Sequence, residues 1–453
     1  MRHVRAFGLT TLALTLLTTA CAAAPPNAQP GPSTTLSVWL MKESAPDNVI
    51  SELNQQFHTL HPNVQVKLTT LEWPGRDARW QAGMAAATPP DVMEMGNSDV
   101  LAYASTGKLT DLTKQDFENS DTWLTGLRDA GSYQGRLYGV PYYGGDRVVI
   151  YRKDLWQQAG LGDPPTTLAQ LEADAAKLMA ANKATDFSAL YFPGRYQYAA
   201  LPFVLDAGGT IATQQNGKWA GTLSSPKSQA GLRNWAEFVA KVSRAPADKD
   251  ETSDVDALGS GRAAMIIDQG VTASAVAKKY PTLGEQLGVF PMPGANGPMP
   301  VFLGGSNLVV PKASRQADLA AEWIRLLTGT QYEGLLGQSG LVPNSTGLST
   351  FVSGVTAVEL TAAGKSWFTP LSTRWSAVDN ANVIQDMLQS IYNGRATVAE
   401  ASAAADTKIT QLLNTRPDPR ESRSQAHRMS VSGRTEPRGS VLLRSYISGC
   451  LRA

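Results

Sequence analysis

Residues Gly135–Asp154 read GRLYGVPYYGGDRVVIYRKD. Gly135-Arg136 supplies a turn, and Gly139-Val140-Pro141 ends a strand on a rigid one. Tyr142-Tyr143-Gly144-Gly145 is a flexible aromatic segment leading into a further strand, Val148–Tyr151. A connector of this character suits a hinge between two bodies.

The chain on either side alternates between strand and helix patterns. Upstream, Thr35–Met41 (TLSVWLM) is a β-rich run, followed within Asp47–His58 by Val49, Ile50, Leu53 and Phe57 at helical spacing. Val64–Leu71 alternates like a half-buried strand, Arg76–Ala87 predicts a helix that stops before Pro89-Pro90, and Asp91–Met95 is strand again. Downstream, the spacing predicts helices over Thr167–Ala181, Pro226–Val242, Arg315–Thr328 and Asp379–Ile391, with strands at Ala264–Ile267 and Leu308–Val310. Such alternation predicts an α/β fold with right-handed crossovers, whose ligands sit beyond the carboxyl ends of strands. That points to the loops after Met41, Met95 and Pro141.

The chain has 453 residues, 42% hydrophobic and 17% charged, enough for two or three domain-sized units. The net charge of +1 is unevenly spread. From Arg416 onward eight Arg face three acids, so the rest of the chain is net acidic. An acidic body is a poor footing for phosphate backbones, and no nucleic-acid partner is expected. Arg, Ser, Gly and Pro dominate 416–453, with no apolar period, and this stretch is expected to be a disordered basic tail.

Enzyme signatures fail one by one. Gly364-Lys365-Ser366 lacks the earlier glycine of a phosphate loop, because Glu359 stands there. Gly259-Ser260-Gly261-Arg262-Ala263-Ala264 precedes a strand instead of joining strand to helix. There is no GxSxG elbow. The only cysteines, Cys21 and Cys450, exclude a disulfide framework and CxxC sites, and His58, His61 and His427 form no HExxH. No metal, cofactor or catalytic residue is expected. A carboxylate pair such as Asp146 and Asp268 leaves a secreted glycoside hydrolase as a rival reading.

The first 20 residues read as an export signal: Arg2, His3 and Arg5, then the mostly apolar Ala6–Leu17, too short to span a bilayer. Thr18-Thr19-Ala20-Cys21 resembles the lipobox of bacterial lipoproteins, with Leu17 four places before the cysteine and Thr18 in its usual place. The resemblance implies lipidation at Cys21, with Pro25, Pro26, Pro30, Gly31 and Pro32 in a tether over 21–35.

The hinge-like stretch, with its G-x-x-Y-G-x-P-Y leading to Y-R-K-D-L, also resembles the signature of extracellular solute-binding proteins (family 1) of carbohydrate ABC importers, the cluster containing maltose-binding protein. Thr88-Pro89-Pro90-Asp91-Val92 with Gly96-Asn97-Ser98, Pro164-Pro165-Thr166-Thr167-Leu168, Asp206-Ala207-Gly208-Gly209, Gly261–Met265, Gly288–Pro293, Phe302–Ser306 and Trp375–Val378 follow in family order. The flavour is similar to binders of chitin-derived oligosaccharides. The resemblance implies two hinge-connected α/β lobes of the periplasmic-binding-protein type, over 36–143 with 304–350 and over 147–300 with 351–415. It implies a monomer that closes on a small sugar, touches the membrane only through its lipid anchor and serves permease subunits. A binder of another polar solute, such as a glycerophosphodiester or polyamine, stays open.

Sugars present apolar C–H faces to aromatic rings and hydroxyls to fixed polar partners. Trp375 matches the family position that stacks on the ligand; Trp367 and Trp73 are further aromatic candidates, with core packing as the alternative for each. Polar candidates are Asn97, Lys42, Glu43, Tyr198, Asp268, Gln269 and Arg374, together with Asp146, which follows by one place the family's usual Asp. Tyr142 and Tyr143 are candidates against hinge packing, and Gly304, Gly305 and Ser306 could offer backbone N–H groups. Trp39, Trp156, Trp235 and Trp323 are expected in cores.

Overall fold

The computed structural model describes residues 33–42, 44–363 and 366–415. The export signal over 1–20, Cys21, Glu43, Gly364, Lys365 and the tail 416–453 lie outside the described residues. Two sheets organise the fold. Their strands are β1 (Thr34–Met41), β2 (Val64–Leu71), β3 (Val92–Gly96), β4 (Gly139–Asp146), β5 (Val148–Arg152), β6 (Ser188–Tyr191), β7 (Ala263–Asp268), β8 (Leu287–Phe290), β9 (Leu303–Val309) and β10 (Val342–Pro343). The first sheet runs β10-β4-β9-β3-β1-β2 and the second β8-β5-β7-β6. β1 pairs in parallel with both β2 and β3, whereas β9 runs antiparallel to β3 and β4. β1 starts at Thr34, inside the stretch assigned to the tether.

Each sheet carries its own apolar layer, the two-lobe α/β architecture expected. In the first, Leu36, Val38 and Leu40 of β1 pack with Phe57, Trp323 and Tyr332. In the second, Trp235, Phe238 and Phe192 gather with Trp375, Leu388 and Ile409. Trp156, Trp235 and Trp323 are buried, as their helical spacing requires, and each such side chain contributes about 1.5–3 kcal/mol. Trp39 is only half-buried. Its indole covers Gly83, where a Cβ would stand 2.4 Å from the ring.

Local sequence fixes the helix ends. Thr167 and Gln170 form a reciprocal capping box for Leu168–Ala181, and Ser225 caps Pro226–Val242 with proline at its first turn. The helix expected over Asp379–Ile391 is two helices, Trp375–Asn380 and Val383–Tyr392. Asn382 takes φ 51°, a left-handed conformation that Asn tolerates and that ends a helix. Apolar periodicity alone could not show that break.

Candidate functional site: the cleft between the lobes

β4 ends at Asp146 and β5 begins at Val148, so at this crossing the single residue Arg147 separates the two sheets. Alongside, β9 pairs Leu303 with Asp146, Gly304 with Gly145 and Gly305 with Gly144. The backbone at Trp367 runs beside this crossing: Leu303 N donates to Trp367 O at 2.8 Å, and Trp367 N to Val301 O at 2.8 Å. The glycines make room for the second lobe. A Cβ at Gly145 would stand 2.7 Å from the Gln269 amide carbon, and one at Gly304 2.8 Å from its nitrogen.

Arg147 is buried under the cleft floor. Its Nε donates to Tyr196 Oη at 2.8 Å, and Tyr196 Oη donates to Ile267 O at 2.7 Å. The guanidinium lies 4.6 Å from the Tyr198 ring centroid and 5.3 Å from that of Phe302. Tyr198 stacks on Phe302 at 4.4 Å, and Phe302 meets Trp367 at 4.9 Å. A continuous aromatic floor results. Glu251 approaches Arg147 Nη2 at 3.6 Å. Burial pushes the Glu251 carboxyl up to about 7 against the pull of Arg147, and burial likewise raises Asp254 and Asp268.

The walls come from opposite lobes. On the first-lobe side, Arg76 Nε donates to Asp99 Oδ2 at 3.1 Å, and its guanidinium lies 5.8 Å from the Trp73 ring centroid. On the second-lobe side, the helix Gln197–Asp206 begins with Gln197 and Tyr198, and the helix Trp375–Asn380 carries Trp375 and Asp379 one turn apart on one face. Asn380 Nδ2 reaches across to Asp77 Oδ2 at 2.7 Å. Burial pushes Asp379 up to about 7, with Asp99 adding to the rise and Arg76, then the neighbouring Gln197 and Trp375 side chains, opposing it. Asp99 is also raised, by burial first, with Arg76 pulling the other way.

Four buried polar atoms along these walls have no partner among the described residues: Asp99 Oδ1, Gln197 Oε1, Trp375 Nε1 and Asp379 Oδ2. Orphaned buried polar groups cost about 1–3 kcal/mol each and are rare in finished cores. Three of the four are acceptors. At the floor the donors Arg147 Nη1 and Trp367 Nε1 are likewise without a partner, so the region where the lobes meet presents unpartnered donors and acceptors alike beside aromatic rings.

The residues expected from sequence fall into three groups. Trp375 and Trp367 are buried in the second-lobe apolar layer, with Tyr198 partly buried against it; Trp73 lies by Arg76 in the first lobe, and Gln269 abuts the glycines of the crossing. Asn97, Asp146, Gly304 and Gly305 build the crossing instead: Asn97 Nδ2 donates to Leu303 O at 2.8 Å, and both Asp146 oxygens are buried without a partner. Asp268 is used at a helix start, accepting from Gln269 N at 2.8 Å and Thr272 Oγ1 at 2.8 Å. The third group lies apart. Tyr142 donates to Ser44 O at 3.0 Å, while Tyr143 donates to Glu94 Oε1 at 3.2 Å and neighbours Ser306 Oγ at 3.4 Å, all inside the first lobe. Lys42 pairs with Glu72 at 3.2 Å on the surface, and Arg374 Nε donates to Leu412 O at 3.0 Å, away from the cleft.

Sequence reasoning missed Arg76, Asp77, Asp99, Arg147, Gln197, Asp379 and Asn380. Most adjoin a residue that was singled out: Arg76-Asp77 follow Trp73-Pro74-Gly75, Asp99 follows Asn97, Gln197 precedes Tyr198, and Asp379 stands one turn after Trp375. Polar residues within one turn of a candidate aromatic were the available signal.

Comparison with known proteins bears on this geometry. The family described as bacterial extracellular solute-binding protein matches residues 42–334. The diacetylchitobiose binding protein DasA of Streptomyces coelicolor is 33% identical over 387 residues, covering 84% of this chain and 90% of that protein. The fold is similar to the GacH receptor of Streptomyces glaucescens, studied unliganded and with acarbose, at TM-score 0.73 and 23% identity, covering 85% of this chain and 100% of that one. It is also similar to the sugar-binding protein MalE of Xanthomonas citri, at TM-score 0.73 and 20% identity over 89% of this chain and 100% of that one.

Proposed function

Because the chain belongs to the bacterial extracellular solute-binding proteins, a family of binders and not of enzymes, we propose that it is the substrate-binding lipoprotein of an ABC importer. It captures a small oligosaccharide by lobe closure and delivers it to the permease. The observation that carries this reading is the set of unpartnered polar atoms Asp99 Oδ1, Gln197 Oε1, Asp379 Oδ2 and Trp375 Nε1 where the lobes meet, beside the stacked rings of Tyr198 and Phe302. A sugar satisfies both at once, its hydroxyls donating to the acceptors and its ring face lying on the aromatics. The likeness to the diacetylchitobiose binding protein supports a short chitin-derived oligosaccharide as the guest.

The lobes proposed are 36–143 with 304–350 and 147–300 with 351–415, and Cys21 is the proposed site of the lipid anchor. Micromolar capture needs about 8 kcal/mol, so several contacts of about 1 kcal/mol must converge from both lobes. Arg76 is paired with Asp99, with Asp77 and Asp379 close by, and Arg147 under the floor faces Glu251, so both guanidiniums already meet carboxylates, which disfavours a phosphodiester solute. A thermal-shift panel of mono- to tetrasaccharides including diacetylchitobiose, with glycerophosphocholine and spermidine as controls, tests the reading. Saturable stabilisation by an oligosaccharide is the expected result. Stabilisation by spermidine alone, or by none of the sugars, would overturn it.

A further inference from the structure

Two carboxylates, one from each lobe, stand beside the place where Asn380 meets Asp77: Asp379 is the neighbour of Asn380, and Asp99 is bonded to Arg76, the neighbour of Asp77. Asp99 precedes the first-lobe helix Val100–Ala104, is 1% exposed and keeps Oδ1 without a partner. Asp379 lies on the second-lobe helix Trp375–Asn380 and keeps Oδ2 without one. The adjacent Asn380–Asp77 hydrogen bond shows that the lobes touch beside them. The groups around Asp379 are few: Asp99, Arg76 and Asp77 from the first lobe, and Gln197, Tyr198 and Trp375 from its own. Arg76 is the one cation among them, and it already spends its Nε on Asp99.

We propose that Asp99 and Asp379 are a split reading pair, whose mutual repulsion opposes closing of the empty cleft and is relieved by a guest that donates hydrogens to both carboxylates. The inference rests on the reading above that a guest is held between the lobes. It adds a reason why the lobes stay apart without one. A ligand shifts the open and closed populations only through what it binds better in the closed form. Here part of that difference is the cancelled repulsion, so the pair selects for donor groups and suppresses closing on nothing.

A proton can replace the guest. Asp379, raised to about 7 where the lobes meet, titrates near the ordinary carboxylate value when the cleft opens to water. Protonation therefore favours the closed form: the help is complete near pH 4 and is lost as pH rises through about 7. His58 lies on the first-lobe helix Asp47–Leu60 and His61 caps its end. The variant comparison subtracts them.

The test needs no sugar, so its failure is separate from failure of the sugar reading. Small-angle scattering of the ligand-free full chain is measured at pH 8 and pH 5.5 for the wild type and Asp379→Asn, with circular dichroism confirming the fold. The radius of gyration of the wild type should contract at pH 5.5, whereas Asp379→Asn should already be contracted at pH 8 and respond little to acid. Should Asp379→Asn not fold, Asp99→Asn on the opposite lobe should behave alike, because the repulsion is mutual. An unchanging wild-type radius, or a variant that keeps the full wild-type response, would overturn the proposal.

Discussion

Asn380 Nδ2 donates to Asp77 Oδ2 at 2.7 Å, linking the helix Trp375–Asn380 of one lobe to the helix Arg76–Met84 of the other. It is a hydrogen bond that exists only when the lobes meet. Asn380 is exposed, so its worth is that of an ordinary bond to a charged acceptor near water, about 1 kcal/mol. Asn380→Ala should weaken capture about fivefold, mostly through faster release, with an unchanged melting temperature for the empty protein. Stopped-flow dissociation of a bound oligosaccharide measures this.

Arg147 holds the cleft floor from below. Replacing it with Met keeps some packing on Tyr198 and Phe302 but leaves Tyr196 Oη without its donor and Glu251 without its cation. Breaking one side of a buried charged pair costs about 3–5 kcal/mol. Arg147→Met should lower the melting temperature markedly, and because burial already opposes the Glu251 charge, lowering the pH below 7 should recover part of the loss. Melting curves at pH 8 and pH 6 check both statements.

The glycine pairing at the crossing predicts a rescue. Gly145→Ala places a methyl 2.7 Å from the Gln269 side chain, which is flexible, so shortening that side chain in Gly145→Ala/Gln269→Ala should restore much of the lost stability. Gly305→Ala has no such escape. Its φ is 136° and the new Cβ would stand 2.3 Å from Tyr143 O, so a loss of about 1–3 kcal/mol should persist whatever happens at Gln269. Denaturant melts of the three variants decide the point.

Glu333 is 0% exposed, accepts from Asn344 N at 2.9 Å and leaves Oε1 unpartnered. Burial raises its carboxyl well above the ordinary value. A group raised on folding costs stability above its folded value, and the cost is relieved as pH falls toward its unfolded value near 4.5. Glu333→Gln should therefore stabilise the protein at pH 8 and flatten the rise in melting temperature on going to pH 6. A variant that melts lower than the wild type at pH 8 would show that the carboxylate is held charged.

How far these features were legible in the sequence depended on whether they are local. Within Gly135–Asp154 the sequence suggested a strand ending at Pro141 and a flexible aromatic segment after it, whereas Gly139–Asp146 is one continuous buried strand, because its pairing with β9 and β10 outweighs the local preference of proline and glycine. The crossing lies one residue beyond Asp146. Tyr142 and Tyr143 look alike in the sequence and seemed equally free to meet a ligand. Both are buried because β4 is covered on both faces by its own lobe, and their hydroxyls go to Ser44 and Glu94. Arg374 and Asp379 both neighbour Trp375, yet only Asp379 shares its helical face. Arg374, at the helix start, turns toward Leu412. Asp379 gains its meaning from Asp99, 280 positions away in the chain, which only the tertiary arrangement could disclose.

The most direct measurement is scattering of the full chain titrated with diacetylchitobiose and its longer homologues, read beside calorimetry of the same samples. Saturable heat accompanied by contraction of the radius of gyration, with both lost or strongly weakened in Trp375→Ala, is what two lobes gripping a sugar predict. A molecule that keeps one radius at every sugar concentration, or a contraction that leaves no trace of binding heat at any temperature, would contradict them.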